Sequence, residues 1–399
     1  MSSSFGGGPL IYGAASKPAA SAATLAPVKT IPPRRPLNAL VASALLALVA
    51  VGGCIASAPA PAPAAGAATP AAATVPPLRS VAGERKVGAA VETQRLREPA
   101  FARTLAANFN SLTPENEMKW QTIEPAPGQF NFQPGDALVV FAEQNRMRVR
   151  GHTLVWHTQL ADWVKGLQGE ALRAAMLRHV TGVVSHYKGH VAQYDVVNEA
   201  IADGPGGELR ADSPFSALGP GFIEQAFRAA HEADPAAVLF YNDYEIEGPG
   251  TPKTEAVFRM VQQLKTMGVP IGGVGFQMHV DPRHWADAAA IRQNFERFAA
   301  LGLAVEITEM DVAVGEIPGD HAQKLAEQAH LTHDIVAACV AVPACSGITF
   351  WGLTDRYSWL NDPMWGKLRG HGPHRPLPFD ADYQPKPMTA AIADALAGH

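Results

Sequence analysis

Cysteine is scarce, with three in 399 residues. That argues against a disulfide scaffold and against a structural zinc module, which needs paired ligands at short spacing. Acidic residues are missing from the head of the chain, where none precedes Glu84. No run of Lys and Arg sits among interleaved aromatics, and the net charge is only −5, so a nucleic-acid footprint has little support and a neutral or weakly charged partner fits better. No apolar run reaches the ~20 residues that cross a bilayer as a helix. What is present is ample apolar material: 47% of residues are hydrophobic and 17% charged, enough to bury a full core, which excludes disorder as the main state.

The basic head is a separate device. Residues 1–53 carry Lys17, Lys29, Arg34 and Arg35 as their only charges, so the remainder holds 28 basic against 37 acidic residues, a net of −9. Arg34 and Arg35 are followed by a mostly apolar stretch from Leu37 to Val51, then Gly52, Gly53 and Cys54. This order predicts a secretion signal. Val51-Gly52-Gly53-Cys54 resembles a bacterial lipobox, whose cysteine carries a diacylglyceryl anchor; an ordinary signal peptide with an incidental cysteine is the alternative. The long stretch before the double arginine suits a misplaced start codon or a twin-arginine signal. Residues 54–78 are mostly Ala, Pro, Thr, Ser and Gly, a composition that favours an extended, solvated tether.

Residues 79–399 are expected to form one folded domain. Eight short apolar runs alternate there with segments of helical period: Val87–Val91, Ser111–Thr113, Val149–Leu154, Gln193–Val197, Val238–Tyr241, Gly273–Gln277, Ala304–Thr308 and Gly347–Trp351. Leu172, Met176, Val180 and Val183 typify the helical spacing. Eight alternations predict an α/β fold, the (β/α)8 TIM barrel, whose parallel strands are buried on both faces and so lack polar alternation. The doubly wound open sheet is the competing fold; no GxGxxG follows the first strand, which weakens a dinucleotide reading.

In such a barrel chemistry sits where strands end at the C-terminal rim. The polar caps are Glu115, Asn116 and Lys119 in SLTPENEMKW; His152, Trp156, His157 and Gln159 in RGHTLVWHTQ; Asn198 and Glu199 in YDVVNEA; and Asn242 and Tyr244 in FYNDYE. They continue with Gln277 and His279 in GFQMHV, Glu309 and Asp311 in VEITEMD, and Trp351, Asp355 and Trp359 in TFWGLTDRYSW. Glu199 and Glu309, each behind an apolar strand, form a candidate acid and nucleophile pair of the kind glycoside hydrolysis requires. Asn198 could hold a sugar hydroxyl. Asp311 shares parity with Glu309, and His279 could donate a hydrogen bond that keeps Glu309 ionised. Rim tryptophans offer flat faces to a pyranose ring, whereas Trp120, Trp163 and Trp285 are expected in the core.

These segments resemble family 10 glycoside hydrolases, the retaining endo-β-1,4-xylanases, from GAAVE to YQPKP. TPENEMKW, GHTLVWH, VVNEA, ITEMD and FWGLTDRYSW carry the resemblance most specifically. It implies that Glu199 is the general acid/base, that Glu309 is the nucleophile, and that His279 and Asp311 arrange it. It also assigns Glu115, Asn116, Lys119, His152, Trp156, Gln159, Asn198, Gln277, Trp351 and Trp359 to the glycone side, with Asn242 and Tyr244 toward the aglycone. Xylan or xylo-oligosaccharide is the implied partner, with no cofactor and no metal, for a monomer that meets a membrane only through Cys54. Cys339 and Cys345 are expected to be bridged, as in xylanases of this kind, with two buried thiols as the alternative.

Met278 stands where a smaller residue is frequent and Tyr194 where tryptophan is, which touches fine specificity and leaves the reaction alone. Glu306 has parity opposite to Glu309 and is expected to face the helix layer, with no partner assigned. Two other functions compete. A metal-dependent barrel hydrolase would use His152, His157, His279 and Asp311, although the two histidines at 152 and 157 face opposite sides of a regular strand. A non-catalytic glycan-binding lipoprotein would keep the tryptophans but has no need of both glutamates.

Overall fold

Among the described residues nine strands are laid down in chain order: β1 Lys86–Val91, β2 Ser111–Pro114, β3 Arg148–Gly151, β4 Gln193–Asn198, β5 Val238–Asp243, β6 Gly273–Phe276, β7 His279–Val280, β8 Ala304–Val312 and β9 Cys345–Phe350. All eight expected strands are present, and β7 is a two-residue addition. The computed structural model describes residues 75–398 apart from 284, 364, 365, 367–369 and 371; the expected signal segment, Cys54 and nearly all of the tether lie outside the described residues. Those described fall in one compact unit.

Every strand pairing is parallel, and the order β6-β5-β4-β3-β2-β1-β9-β8 is closed by a further pairing of β6 with β8. That closure makes the sheet a barrel and excludes the open doubly wound alternative. Helices Gln133–Gln144, Gly169–His186, Gly221–Ala233, Pro252–Thr266, Ala288–Ala299 and His321–Val340 connect successive strands. They turn apolar faces inward, as with Leu172, Met176, Val180 and Val183, all fully buried. Cys339, near the end of a helix, and Cys345, opening β9, form a disulfide with Cα atoms 5.4 Å apart.

Three register shifts interrupt the ladders, one of them an extra residue on β9 opposite Val305 and Glu306, and the other two lie on β4 and β8. The register of β4 against β5 shifts between Asp195 and Val197, and that of β8 against β9 shifts between Ile307 and Met310. A bulge of one residue lets two side chains three apart share a face. Glu306 therefore faces the barrel lumen together with Glu309, which corrects the expectation that it meets the helix layer. Its partners are Lys86 at 2.7 Å, Arg150 at 2.8 Å, Gln193 at 2.7 Å and Ser346 at 2.5 Å. Arg150 also forks onto both oxygens of Asp195. Burial alone would strip charge from that guanidinium, but Asp195 and Glu306 outweigh it and hold it more firmly protonated than usual.

Candidate active site

Glu309 lies near the end of β8, within the bulge between Ile307 and Met310. Asn242, from β5, donates to its Oε1 at 2.8 Å, and His279 meets its Oε2 at 3.2 Å through Nε2. The other nitrogen of His279 meets Asp311 at 2.8 Å, and Trp359 donates to the same Asp311 oxygen at 2.7 Å. Burial would depress the His279 imidazole, but Asp311 and then Glu309 reverse that and raise it to about 10. The ring is thus a cation near neutrality, donating from both nitrogens, to Asp311 and to Glu309.

Glu199 follows directly on β4. Its backbone stands in the left-handed region at φ 54°, an uncommon place for a residue with a Cβ, and its N–H is tied to the Asn242 carbonyl at 2.9 Å. Trp156 donates to one carboxylate oxygen at 2.8 Å, while Gln277 at 2.8 Å and Asn198 at 3.2 Å donate to the other. His157 Nδ1 lies 4.0 Å away, and burial pulls that imidazole below its usual range, so it sits beside Glu199 uncharged. A chain of amides joins the two glutamates. Asn242 spans from Glu309 to the Asn198 oxygen at 2.8 Å, and Asn198 and Gln277 reach Glu199.

The adjoining floor gathers the remaining glycone candidates. Lys119 Nζ and Gln159 Nε2 both donate to Asn116 Oδ1, at 3.2 and 3.1 Å. The ammonium lies 5.0 Å from the centre of the Trp156 ring and 5.8 Å from that of Trp351, within cation–π reach. Burial lowers the Lys119 pKa, and the carboxylates of Glu115, Glu309 and Glu199 pull the other way. Glu115 is pushed up to about 7 by burial and then by Glu92, against the opposing Lys119. His152 donates or accepts through Nδ1 at 3.0 Å from Asp195, and its ring packs edge-on to Trp351 at 5.1 Å. Two carboxylates on facing strand ends, amides between them, and an aromatic floor are what cleavage of a sugar acetal needs.

A model of glycosyl hydrolase family 10 matches residues 78–395. The chain belongs to glycosyl hydrolase family 10. It is 44% identical over 290 residues, 72% of its own length and 81% of the relative's, to an endo-1,4-beta-xylanase B of Thermotoga neapolitana. A beta-1,4-xylanase of Dictyoglomus thermophilum is 39% identical over 310 residues, 75% and 85% of the two chains. Among solved structures, xylanase 10B of Thermotoga petrophila in complex with xylobiose aligns with a TM-score of 0.76 at 41% identity, covering 82% of this chain and 99% of that one.

The structure brings the side chains of Asn198, Glu199, His279, Glu309 and Asp311 together, with Glu115, Asn116, Lys119, His152, Trp156, Gln159, Gln277, Trp351 and Trp359 around them. Asn242 does not fit its aglycone assignment: it is fully buried, with its amide committed to Asn198, Glu309 and Thr308. Tyr244 is partly buried, and its hydroxyl donates to Asp203 at 2.6 Å and accepts from Arg210 at 2.9 Å. Trp120 stacks on His179 at 3.8 Å and Trp163 packs on Trp120, as core residues. Trp285 departs from that expectation, since it packs on the core yet lines a cleft of about 960 Å³ beside His279, with Glu247, Lys253, Met278 and Asp281. The metal reading gains no ligand set: His152 is spoken for by Asp195, His157 stands by Glu199, and among the described residues no group of three or more His, Cys, Asp or Glu could hold an ion. Sequence reasoning missed Asp195, Arg150 and Glu247. Asp195 had a signal, because a charge inside the apolar run YDVVN must find a partner.

Proposed function

We propose that this family 10 enzyme is an endo-β-1,4-xylanase that retains anomeric configuration by double displacement. The observation that carries this reading is the pairing of Glu309, held by cationic His279 and Asn242, with Glu199, held by Trp156, Gln277 and Asn198. Glu199 protonates the departing glycosidic oxygen while Glu309 attacks the anomeric carbon, forming a covalent glycosyl-enzyme. Glu199 then takes a proton from water, which displaces Glu309. The Asn198 amide lies between the two groups and suits a hydroxyl of the reacting sugar. Xylan and xylo-oligosaccharides are the substrates that the relatives' activities and the xylobiose complex of the Thermotoga petrophila enzyme support.

Reducing-sugar release from xylan tests the activity, and proton NMR of the first-formed anomer tests its stereochemistry. The β-anomer is expected; the α-anomer would replace the covalent route by direct attack of water, with carboxyls ~6.5–9.5 Å apart instead of ~5–5.5 Å. The Glu309→Gly variant is expected to lose turnover of xylan. In the wild type, a 2-deoxy-2-fluoro xylobioside should lose its dinitrophenolate leaving group and remain as an ester on Glu309, read by peptide mass spectrometry; absence of that adduct would demote Glu309 to a holder of water.

Export and anchoring belong to the same proposal. The Arg34-Arg35 head and the Val51–Cys54 motif support a lipid-anchored enzyme displayed on a tether at the cell envelope, where a polymer too large to enter the cell can be met. Mass spectrometry of the mature N-terminus checks this, and a mature chain beginning anywhere but Cys54 refutes the anchor.

A further inference from the structure

The two catalytic carboxylates take partners from one three-residue segment, residues 277–279, that leads from β6 into β7. Gln277 donates to Glu199 at 2.8 Å, and His279 reaches Glu309 at 3.2 Å and Asp311 at 2.8 Å. Alternate residues of an extended chain already share a side, but these two must diverge toward groups on different strands. The backbone does this at Met278, which stands in the left-handed region at φ 62°. A residue with a Cβ holds that conformation only when its surroundings enforce it.

The enforcing contact comes from Glu247. The Met278 N–H donates to Glu247 Oε1 at 3.0 Å. Glu247 is itself fixed, because the fully buried Asn294, on helix Ala288–Ala299, donates to the carbonyls of Ile246 at 2.8 Å and Glu247 at 3.3 Å. The Met278 side chain is buried, which closes the segment from the other side. Glu247 can reach the chemistry by two routes, the hydrogen bond to the Met278 N–H and the through-space attraction between its carboxyl and the His279 ring, and only the first survives replacement by a neutral amide.

We infer that Glu247 is a positioning residue for the hydrolytic reaction: by clamping the Met278 N–H it sets the turn that aims Gln277 at the acid/base and His279 at the nucleophile. This rests on the double-displacement reading of the site. An error there would appear as a wild-type enzyme inactive on xylan or giving the inverted product, whereas an error about the clamp would leave the wild type active and the Glu247 variants unaltered.

The test compares wild type, Glu247→Ala and Glu247→Gln on xylotetraose, with competent sites counted by burst titration using a 2-deoxy-2-fluoro xylobioside bearing a dinitrophenyl leaving group. Rates are expressed per titrated site, so a fraction that fails to fold does not count. Glu247→Ala removes the acceptor and is expected to lower kcat by roughly 10- to 100-fold per site, the scale of an ångström-level misplacement of catalytic groups, with KM changed less than about twofold. Glu247→Gln keeps a carbonyl oxygen in the same place and should recover most of that loss. An unchanged kcat per site in Glu247→Ala overturns the inference. So does a raised KM at constant kcat, which would make Glu247 a wall of the adjoining cleft that touches substrate, and so does a loss in Glu247→Gln as deep as in Glu247→Ala.

Discussion

Glu115 and His279 titrate far from their ordinary ranges for opposite reasons. For Glu115 burial leads and Glu92 adds to it, which places the change of charge near pH 7. An ionised carboxylate is the stronger acceptor for sugar hydroxyls. The KM for short xylo-oligosaccharides should therefore fall several-fold as pH rises through about 7, and the neutral Glu115→Gln variant should flatten that profile in steady-state kinetics. For His279 the folded value of about 10 stands above the ~6.5 of an unfolded chain. Its contribution to stability is fully present below about pH 6.5 and is lost as pH rises through about 10. A His279→Asn variant should accordingly be less stable than wild type by on the order of a few kcal/mol at pH 6, with the gap narrowing toward pH 10, as read from urea midpoints.

At the scale of strands, the bulges on β4 and β8 matter most. They let β4 present both Asp195 and Asn198, and β8 both Glu306 and Glu309, to the same interior. Gly275 on β6 is fitted to this arrangement: a Cβ there would run into Asn242 Oδ1 and come within 2.8 Å of Thr308 Cγ2. Gly275→Ala should displace Asn242 from Glu309, costing about 1–3 kcal/mol of stability by overpacking and lowering kcat more than KM. The barrel itself was legible, because strands buried on both sides read as continuous apolar runs and the residues closing them read as a rim. The bulges were not. An inserted residue leaves no mark in composition or spacing, so counting parity along VEITEMD sent Glu306 outward. Asn242 was legible as a site residue but not in its orientation, which depends on acceptors from β4 and β8. Glu247 was hidden for a similar reason, since its partner is a main-chain N–H that every residue but proline carries.

For the whole molecule, all of the groups assigned to chemistry lie within the compact unit, and the first 77 residues contribute none of them. A chain beginning at residue 75 should fold, and should match the full-length enzyme in kcat on soluble xylo-oligosaccharides. Any difference should appear in where the protein is found, as measured by fractionation of cells expressing each form. Inside the barrel, Lys86 on β1, Arg150 on β3, Asp195 on β4 and Glu306 on β8 are joined across the lumen. Mobile ions weaken charge pairs by gathering in the water around them, and Arg150, Asp195 and Glu306 are sealed from that water, so this internal strut would keep its strength in a brine that loosens the ion pairs on the outer helices.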